Sequence, residues 1–367
     1  MARWSAFPRF KMALLQDVTL GIDFGTSNSA MSVRQGQGAA RMISLEGDAR
    51  TLPTALFFNA EEHRTHFGRD AIAQYLEGTE GRLMRSMKSL LGSRLLDGRT
   101  EVHGRSLLFR DLLSQFIGEL KRRADLHGEK AFEHVVLGRP VYFVDDDPAA
   151  DQVAEATLAE IARSIGFKEV SFQYEPIAAA FDYETRIMRE ELVLVVDIGG
   201  GTSDFSLVRL SPERARKSER QHDILANGGV HVGGTDFDRL FSLASVMPLL
   251  GYRGQLHSGR EMPSSIFFNL ATWHTINSAY TRQSLTEQRR LANEAACAQR
   301  AARLMTLLET RAGHWLANEV EQAKIALSAQ AAVKLGLDRL EAGLEVELER
   351  AAFDEAGASL IARIETT

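Results

Sequence analysis

The stretch Val193 to Leu207, VLVVDIGGGTSDFSL, constrains this chain more than any other. A valine-rich run ends in Asp197. Three glycines follow, then Thr202, Ser203, Asp204 and a second alternating apolar run. That order predicts strand, tight turn, strand. Glycine lacks Cβ, so backbone N–H groups at Gly199, Gly200 and Gly201 can converge on one point, and such a nest of amides binds phosphate. Asp197 and Asp204 would flank the turn, where carboxylates could hold a hydrated Mg2+ paired with a polyphosphate, and Thr202 adds a hydroxyl. An ordinary glycine-rich hairpin between core strands accounts for this stretch alone equally well.

A second copy tips the balance. Thr19 to Ser29 reads TLGIDFGTSNS, an apolar strand followed by Asp23, Gly25, Thr26, Ser27 and Asn28. Both copies reduce to Asp, an apolar residue, Gly and then Thr-Ser. Two phosphate turns far apart in one chain suggest two related lobes facing each other, with a nucleotide clamped in the cleft.

The chain has 367 residues, 44% of them hydrophobic, enough to bury sizeable cores in two lobes. A net charge of −6 speaks against a protein that grips duplex nucleic acid. Cys297 is the single cysteine, which excludes an intrachain disulfide and a cysteine zinc cluster and suits a reducing compartment. The reading is cytoplasmic, with a buried, inert thiol. No run of about 18 uninterrupted apolar residues exists, so no membrane span is expected. Residues 1–17 are expected to form a flexible extension, with Met12 as an alternative start.

Along the chain, short strands are expected at Ala30–Val33, Arg41–Leu45 and Pro53–Phe58. A helix is expected over Asp70–Leu91, from the spacing of Leu83, Met84, Met87, Leu90 and Leu91, with Lys88 inside it. Ser106–His127 reads as an amphipathic helix and His134–Leu137 as a strand. Asp145 to Asp147 reads as the start of a helix over Ala149–Gly166. A strand over Val170–Tyr174 meets a helix over Pro176–Ile187, with Glu175 at the junction. That carboxylate suits either orienting a water or complementing the helix dipole.

Two Gly-Gly pairs lie within Asn227–Thr235, and Gly233 and Gly234 could approach a nucleotide closely. Ser264–Ser328 is helical in pattern and reads as an insertion of paired helices. A hairpin over Val333–Leu337 and Leu344–Leu348 precedes a last helix from Glu349. The P-loop, Rossmann, zinc-protease and nucleophile-elbow motifs are absent. The ten histidines show no metal-like spacing.

Together these strings resemble the actin-like ATPase domain of the Hsp70 chaperone family, most closely its small bacterial YegD-like branch. The resemblance rests on GIDFGTSNS at Gly21–Ser29, MKSLLG at Met87–Gly92, RPVYF at Arg139–Phe143 and YEPIAAAFDYE at Tyr174–Glu184. It continues through DIGGGTSDFS at Asp197–Ser206, GGTDFD at Gly233–Asp238 and EQAKIALS at Glu321–Ser328. It implies an α/β, ribonuclease H-like fold with lobes over 18–186 and 187–367, the second carrying a helical insertion at about 240–320. It also implies binding of ATP or ADP with Mg2+. In that likeness Asp23 and Asp197 hold the hydrated Mg2+, while Gly25, Thr26, Ser27, Asn28, Gly199, Gly200, Gly201 and Thr202 wrap the phosphates. Lys88 is the catalytic lysine, Glu175 and Asp204 position the attacking water and the metal shell, and Glu321, Lys324 and Ser328 meet adenosine. Co-chaperone or nucleotide-exchange partners are implied as well.

Three departures accompany it. Ile325 stands where the family has an arginine that stacks on adenine. Pro148 stands where a relay arginine is expected, eight positions after the switch proline Pro140. The chain stops before the last glycine-rich adenosine loop and before any peptide-binding domain, so a truncated pocket is expected. The rival readings are an actin-like filament protein, a nucleotide-binding module without turnover and, least economical, a sugar kinase.

Overall fold

A computed structural model describes residues 18–36, 38–102, 104–217 and 220–367. The N-terminal extension expected over 1–17 lies outside the described residues. The fold is mixed α/β with several sheets. The described residues divide into two compact units, one within 18–231 together with Thr367, the other 232–366.

In the first unit, β1 (Val18–Phe24) and β2 (Asn28–Gln35) form an antiparallel pair around the first glycine turn. Short β3 (Arg41–Met42) and β4 (Thr51–Pro53) both pair with β2. The strand expected over Arg41–Leu45 is thus shorter: Leu45 instead closes a turn with Ala49.

Next come β5 (Ala55–Asn59), β6 (Thr65–Phe67), α1 (Gly68–Leu76) and β7 (Gly81–Arg85). Here the single helix expected over Asp70–Leu91 is corrected. The helix ends at Leu76, Gly78 takes φ +84°, and Leu83 and Met84 belong to β7, antiparallel to β5. Lys88 sits on a 3-10 turn, Met87–Leu90, entered through Ser86 at φ +56°. The last three residues of β7 are all buried. A strand buried on both faces loses the period of two that marks it, and adjacent apolar pairs then mimic a helical stripe.

The hairpin β8 (Arg99–Val102) and β9 (Arg105–Leu108) leads into α2 (Phe109–Gly128). On α2, Leu112, Leu113, Phe116, Ile117 and Leu120 are fully buried. Each such side chain contributes about 1.5–3 kcal/mol by leaving water. Phe116 tilts against Phe24, the last residue of β1, so this core fixes the strand that delivers Asp23. β10 (His134–Arg139) runs parallel to β1 on one side and to β11 (Glu169–Tyr174) on the other. α3 (Pro148–Ser164) connects them. Its start is set by Asp147, whose carboxylate accepts the Ala150 N–H, with Pro148 in the first turn. α4 (Glu175–Glu184) follows β11 directly.

A separate antiparallel sheet is built by β12 (Glu191–Ile198), β13 (Ser203–Leu210) and β14 (Ile224–Val230). Val193, Val195, Val208 and Leu210 pack with Ile177 and Ala180 of α4. On the other face of β12, Leu192, Leu194, Val196 and Ile198 are exposed. One buried cluster holds this sheet together away from its glycines. Glu184 and Asp223 accept hydrogen bonds from Arg220, and Asp223 also pairs with Arg214.

The second unit opens with α5 (Gly234–Phe241), which continues through a π turn and a 3-10 turn to Leu250. α6 (Ser265–Ala271), α7 (Arg282–Glu294), α8 (Ala298–Glu309) and α9 (Gly313–Leu327) form the helical stretch, with Arg289 of α7 paired to Glu309 of α8. The hairpin β15 (Ala332–Gly336) and β16 (Glu345–Glu349) and the helix α10 (Arg350–Glu365) complete it. Cys297 is exposed rather than buried, because it caps α8 in the short connection from α7. No helix among the described residues is long and apolar enough to cross a membrane.

Candidate active site

Both glycine turns lie in the first unit, and they touch. A Cβ at Gly200 would lie 2.3 Å from Ser27 Oγ, and one at Gly201 would lie 2.6 Å from Thr26 Oγ1. Only glycine allows that approach. At Gly25 a Cβ would strike the Asn28 carbonyl oxygen at 2.1 Å, so the first turn is equally tight. The second is closed by Gly199, whose N–H donates to the Thr202 carbonyl at 2.8 Å.

The strands aim acidic residues at these turns. Asp197 and Asp204 face each other across the β12–β13 register, one residue pair below the turn. Asp23 is the penultimate residue of β1. Gly138 of β10 brings the neighbouring carboxylate in: a Cβ there would meet Glu175 Cγ at 3.2 Å and Asp23 Cα at 3.6 Å. Into this group reaches Lys88, 7% exposed, donating from Nζ to Glu175 Oε1 at 2.7 Å. The 3-10 turn and the β11–α4 junction, remote in sequence, thereby meet.

Asp23, Glu175, Asp197 and Asp204 share this one ammonium, and the pKa values of Lys88, Asp23, Asp197 and Asp204 register the crowding. Burial works against the Lys88 charge, yet Glu175, then Asp23 and Asp204, hold its pKa above the ordinary lysine value. Asp23 keeps solvent access. Even so, desolvation by surrounding protein, then the charge of Glu175, push its carboxyl up to about 6, with Asp197 adding to the push and Lys88 opposing it. Asp204 is 1% exposed and is also pushed up to about 6 by burial, although it accepts the Val141 N–H and the Thr202 hydroxyl. Asp197 is raised too, by burial and then Glu175.

Four carboxylates around one ammonium leave an excess of negative charge that suits a divalent cation. Among the described residues no group of three acidic, histidine or cysteine side chains could chelate a metal. A hydrated Mg2+ does not need such a group, because it keeps most of its waters and binds through one or two carboxylates and a phosphate, and Asp23 and Asp197 are carboxylates of that kind.

Sequence reasoning missed Thr54. Fully buried, it donates its hydroxyl to the Gly25 carbonyl at 2.8 Å, approaches Ser29 Oγ at 3.0 Å, and donates its N–H to the Ser27 carbonyl at 2.9 Å. It braces the first turn from outside, and no local pattern marks a threonine for that task.

The other sequence-derived residues, Gly233, Gly234, Glu321, Lys324 and Ser328, fall in the second unit. Gly233 precedes α5 and donates its N–H to Asp236. Lys324 of α9 is engaged by Asp238 of α5 at 2.5 Å and by the Gly234 carbonyl at 3.2 Å. Asp238 is buried and pushed up to about 6, by burial first, while Lys324 pulls it down. Ile325, on the same helix, is 55% exposed.

Residues 97–244 match the family model of the Hsp70 protein. The chain is also similar to the mitochondrial heat shock protein SSC3 of Saccharomyces cerevisiae, 26% identical over 251 residues. That alignment covers 63% of this chain and 36% of the yeast protein, so the chain spans about a third of that relative's length. Both comparisons point to Hsp70 proteins as what this chain is similar to, and the stretch matched by the family model contains Glu175, Asp197 and Asp204.

Proposed function

We propose that this chain is an Hsp70-like, actin-fold ATPase domain that hydrolyses ATP to ADP and phosphate with Mg2+, and that it works in the cytoplasm as part of a chaperone-related protein of the YegD-like branch. The assignment of 18–186 and 187–367 to two lobes, and of Glu321, Lys324 and Ser328 to adenosine, belongs to the same proposal. One observation carries it: two touching glycine turns, both followed by hydroxyls, stand beside four carboxylates that share the Lys88 ammonium.

In this reading the backbone N–H groups of Gly25–Asn28 and Gly199–Thr202 receive phosphate oxygens. Bound Mg2+ would be held near Asp23 and Asp197 and would offset the phosphate charge. Lys88, kept charged by its acidic neighbours, stabilises negative charge developing on the γ-phosphate. Glu175, anchored to Lys88, is placed to hold the attacking water. Asp204, anchored by Val141 and Thr202, holds the hydrogen-bond network on the other side.

Titration calorimetry with ATP and Mg2+, with phosphate release followed in parallel, tests this reading. Lys88→Ala is expected to retain binding and lose turnover, and Asp197→Ala to weaken both. Binding without turnover in the unmutated chain would favour a nucleotide-binding module. Absence of binding would sink the ATPase reading.

A further inference from the structure

Beside the carboxylates lies a second buried charge cluster that the proposed chemistry leaves unused. Arg139 ends β10 and is 7% exposed. Its Nε donates to the Pro140 carbonyl at 3.0 Å and its Nη2 to the Val141 carbonyl at 3.2 Å. Nη2 also donates to both oxygens of Asp151, at 3.0 and 2.8 Å, and Nη1 pairs with Glu155. The guanidinium stands 4.9 Å from the Phe143 ring centre and 5.2 Å from that of Tyr174. Burial alone would disfavour this charge, but Asp151 and Glu155 on α3 hold it. Asp151 also accepts the Phe143 N–H at 2.5 Å. Residues 139–143 are thus stapled to the first turns of α3 by a planar donor fork that no other side chain can reproduce.

The stapled segment has one N–H committed elsewhere. Val141 donates it to Asp204 Oδ1 at 2.7 Å, a buried, charge-assisted bond linking this loop to β13. The fit is close: a Cβ on Gly229 of β14 would lie 2.7 Å from that same oxygen and 3.2 Å from Val141 Cβ.

We propose that Arg139 is a positioning residue. By fixing the Pro140–Val141 backbone, it makes Val141 hold the Asp204 carboxylate in one orientation beside Thr202 and the second glycine turn. Its consequence for turnover rests on the ATPase reading above. Pro148 opens α3, and the guanidinium that acts on the Pro140 segment comes from the residue just before that proline.

The test compares Arg139→Met, Glu155→Gln, Asp204→Asn and the Arg139→Met/Asp204→Asn pair in the full chain. Three quantities are read: ATP affinity by calorimetry, single-turnover phosphate release, and exchange of the Val141 amide by NMR. Arg139→Met should slow turnover on the order of 10- to 100-fold, because small misplacements of a catalytic group have that scale of effect, and should leave the Kd within about threefold. Val141 exchange should speed up. The double variant should be no slower than Asp204→Asn alone, since one residue acts through the other. Glu155→Gln, at the rim of the cluster, should shift the same readouts less, and it carries the test should Arg139→Met not fold. Multiplying effects in the double variant, an affinity loss matching the rate loss, or unchanged Val141 exchange would each overturn the inference. An unmutated chain that releases no phosphate would overturn the ATPase reading and Arg139's part in turnover together. An unmutated chain that turns over, matched in rate by the Arg139→Met variant, overturns the inference alone.

Discussion

Replacing Asp204 with asparagine is expected to stabilise the protein at neutral pH while slowing the turnover proposed above. The carboxyl is buried between Val141 and Thr202 and titrates at about 6, against an ordinary value of 3.8. The folded-state value is the higher, so folding favours the protonated form. The stability it contributes is fully present below 3.8 and is lost as pH rises through about 6. The difference corresponds to about 3 kcal/mol above that pH. Asparagine removes the charge and keeps an oxygen to accept the Val141 N–H, and the Thr202 hydroxyl can turn round to accept from the new amide. Lys88 loses one counter-charge but keeps Glu175 at 2.7 Å.

Urea denaturation of both proteins without nucleotide or Mg2+, at pH 4.5, 6 and 7.5, reads the effect. The variant should exceed its parent by up to ~3 kcal/mol at pH 7.5 and by about 1 kcal/mol at pH 4.5. A variant no more stable than its parent at pH 7.5, or a gap that does not narrow on acidification, would refute the reasoning. The combination of higher stability and slower phosphate release is what a site that holds charge at the expense of folding should show.

Gly200→Ala should cost about 1–3 kcal/mol in thermal denaturation, the usual range for overpacking, because its Cβ would sit 2.3 Å from Ser27 Oγ. Adding Ser27→Gly should restore most of it, and strict additivity would mean that the turns do not touch. Leu194→Ser, at a position 61% exposed on β12, should change stability by less than about 0.5 kcal/mol, whereas Val195→Ser, packed under α4, should cost clearly more. Equal losses would show that the outer face of β12 is covered in solution. Cys297 should react with a disulfide reagent in the native protein at the rate of a free thiol, and protection until denaturant is added would contradict its exposure.

What the sequence discloses and what it withholds divide along a physical line. The glycine turns, the strands that carry Asp23 and Asp197 one residue before their ends, and the strand-to-helix junction at Glu175 are local: one short window carries both the pattern and its cause. Lys88 is different. Its window reads as a helix stripe, and only the packing of β7 against β5 turns that stripe into a strand and a 3-10 turn that delivers the ammonium to Glu175. Thr54 and Arg139 are further still from legibility, since their partners at Gly25, Asp151 and Glu155 are fixed by chain reversal and not by neighbouring residues.

The run at β12 is instructive in the opposite direction. Leu192 to Val196 are apolar at every position, yet only alternate positions pack against α4. Hydrophobicity along a strand records which faces tolerate burial, and the elements laid on each face decide which are buried. The site residues divide in the same way. Those that make a turn possible can be read from the chain, while those that hold it still, such as Arg139, follow only from the fold.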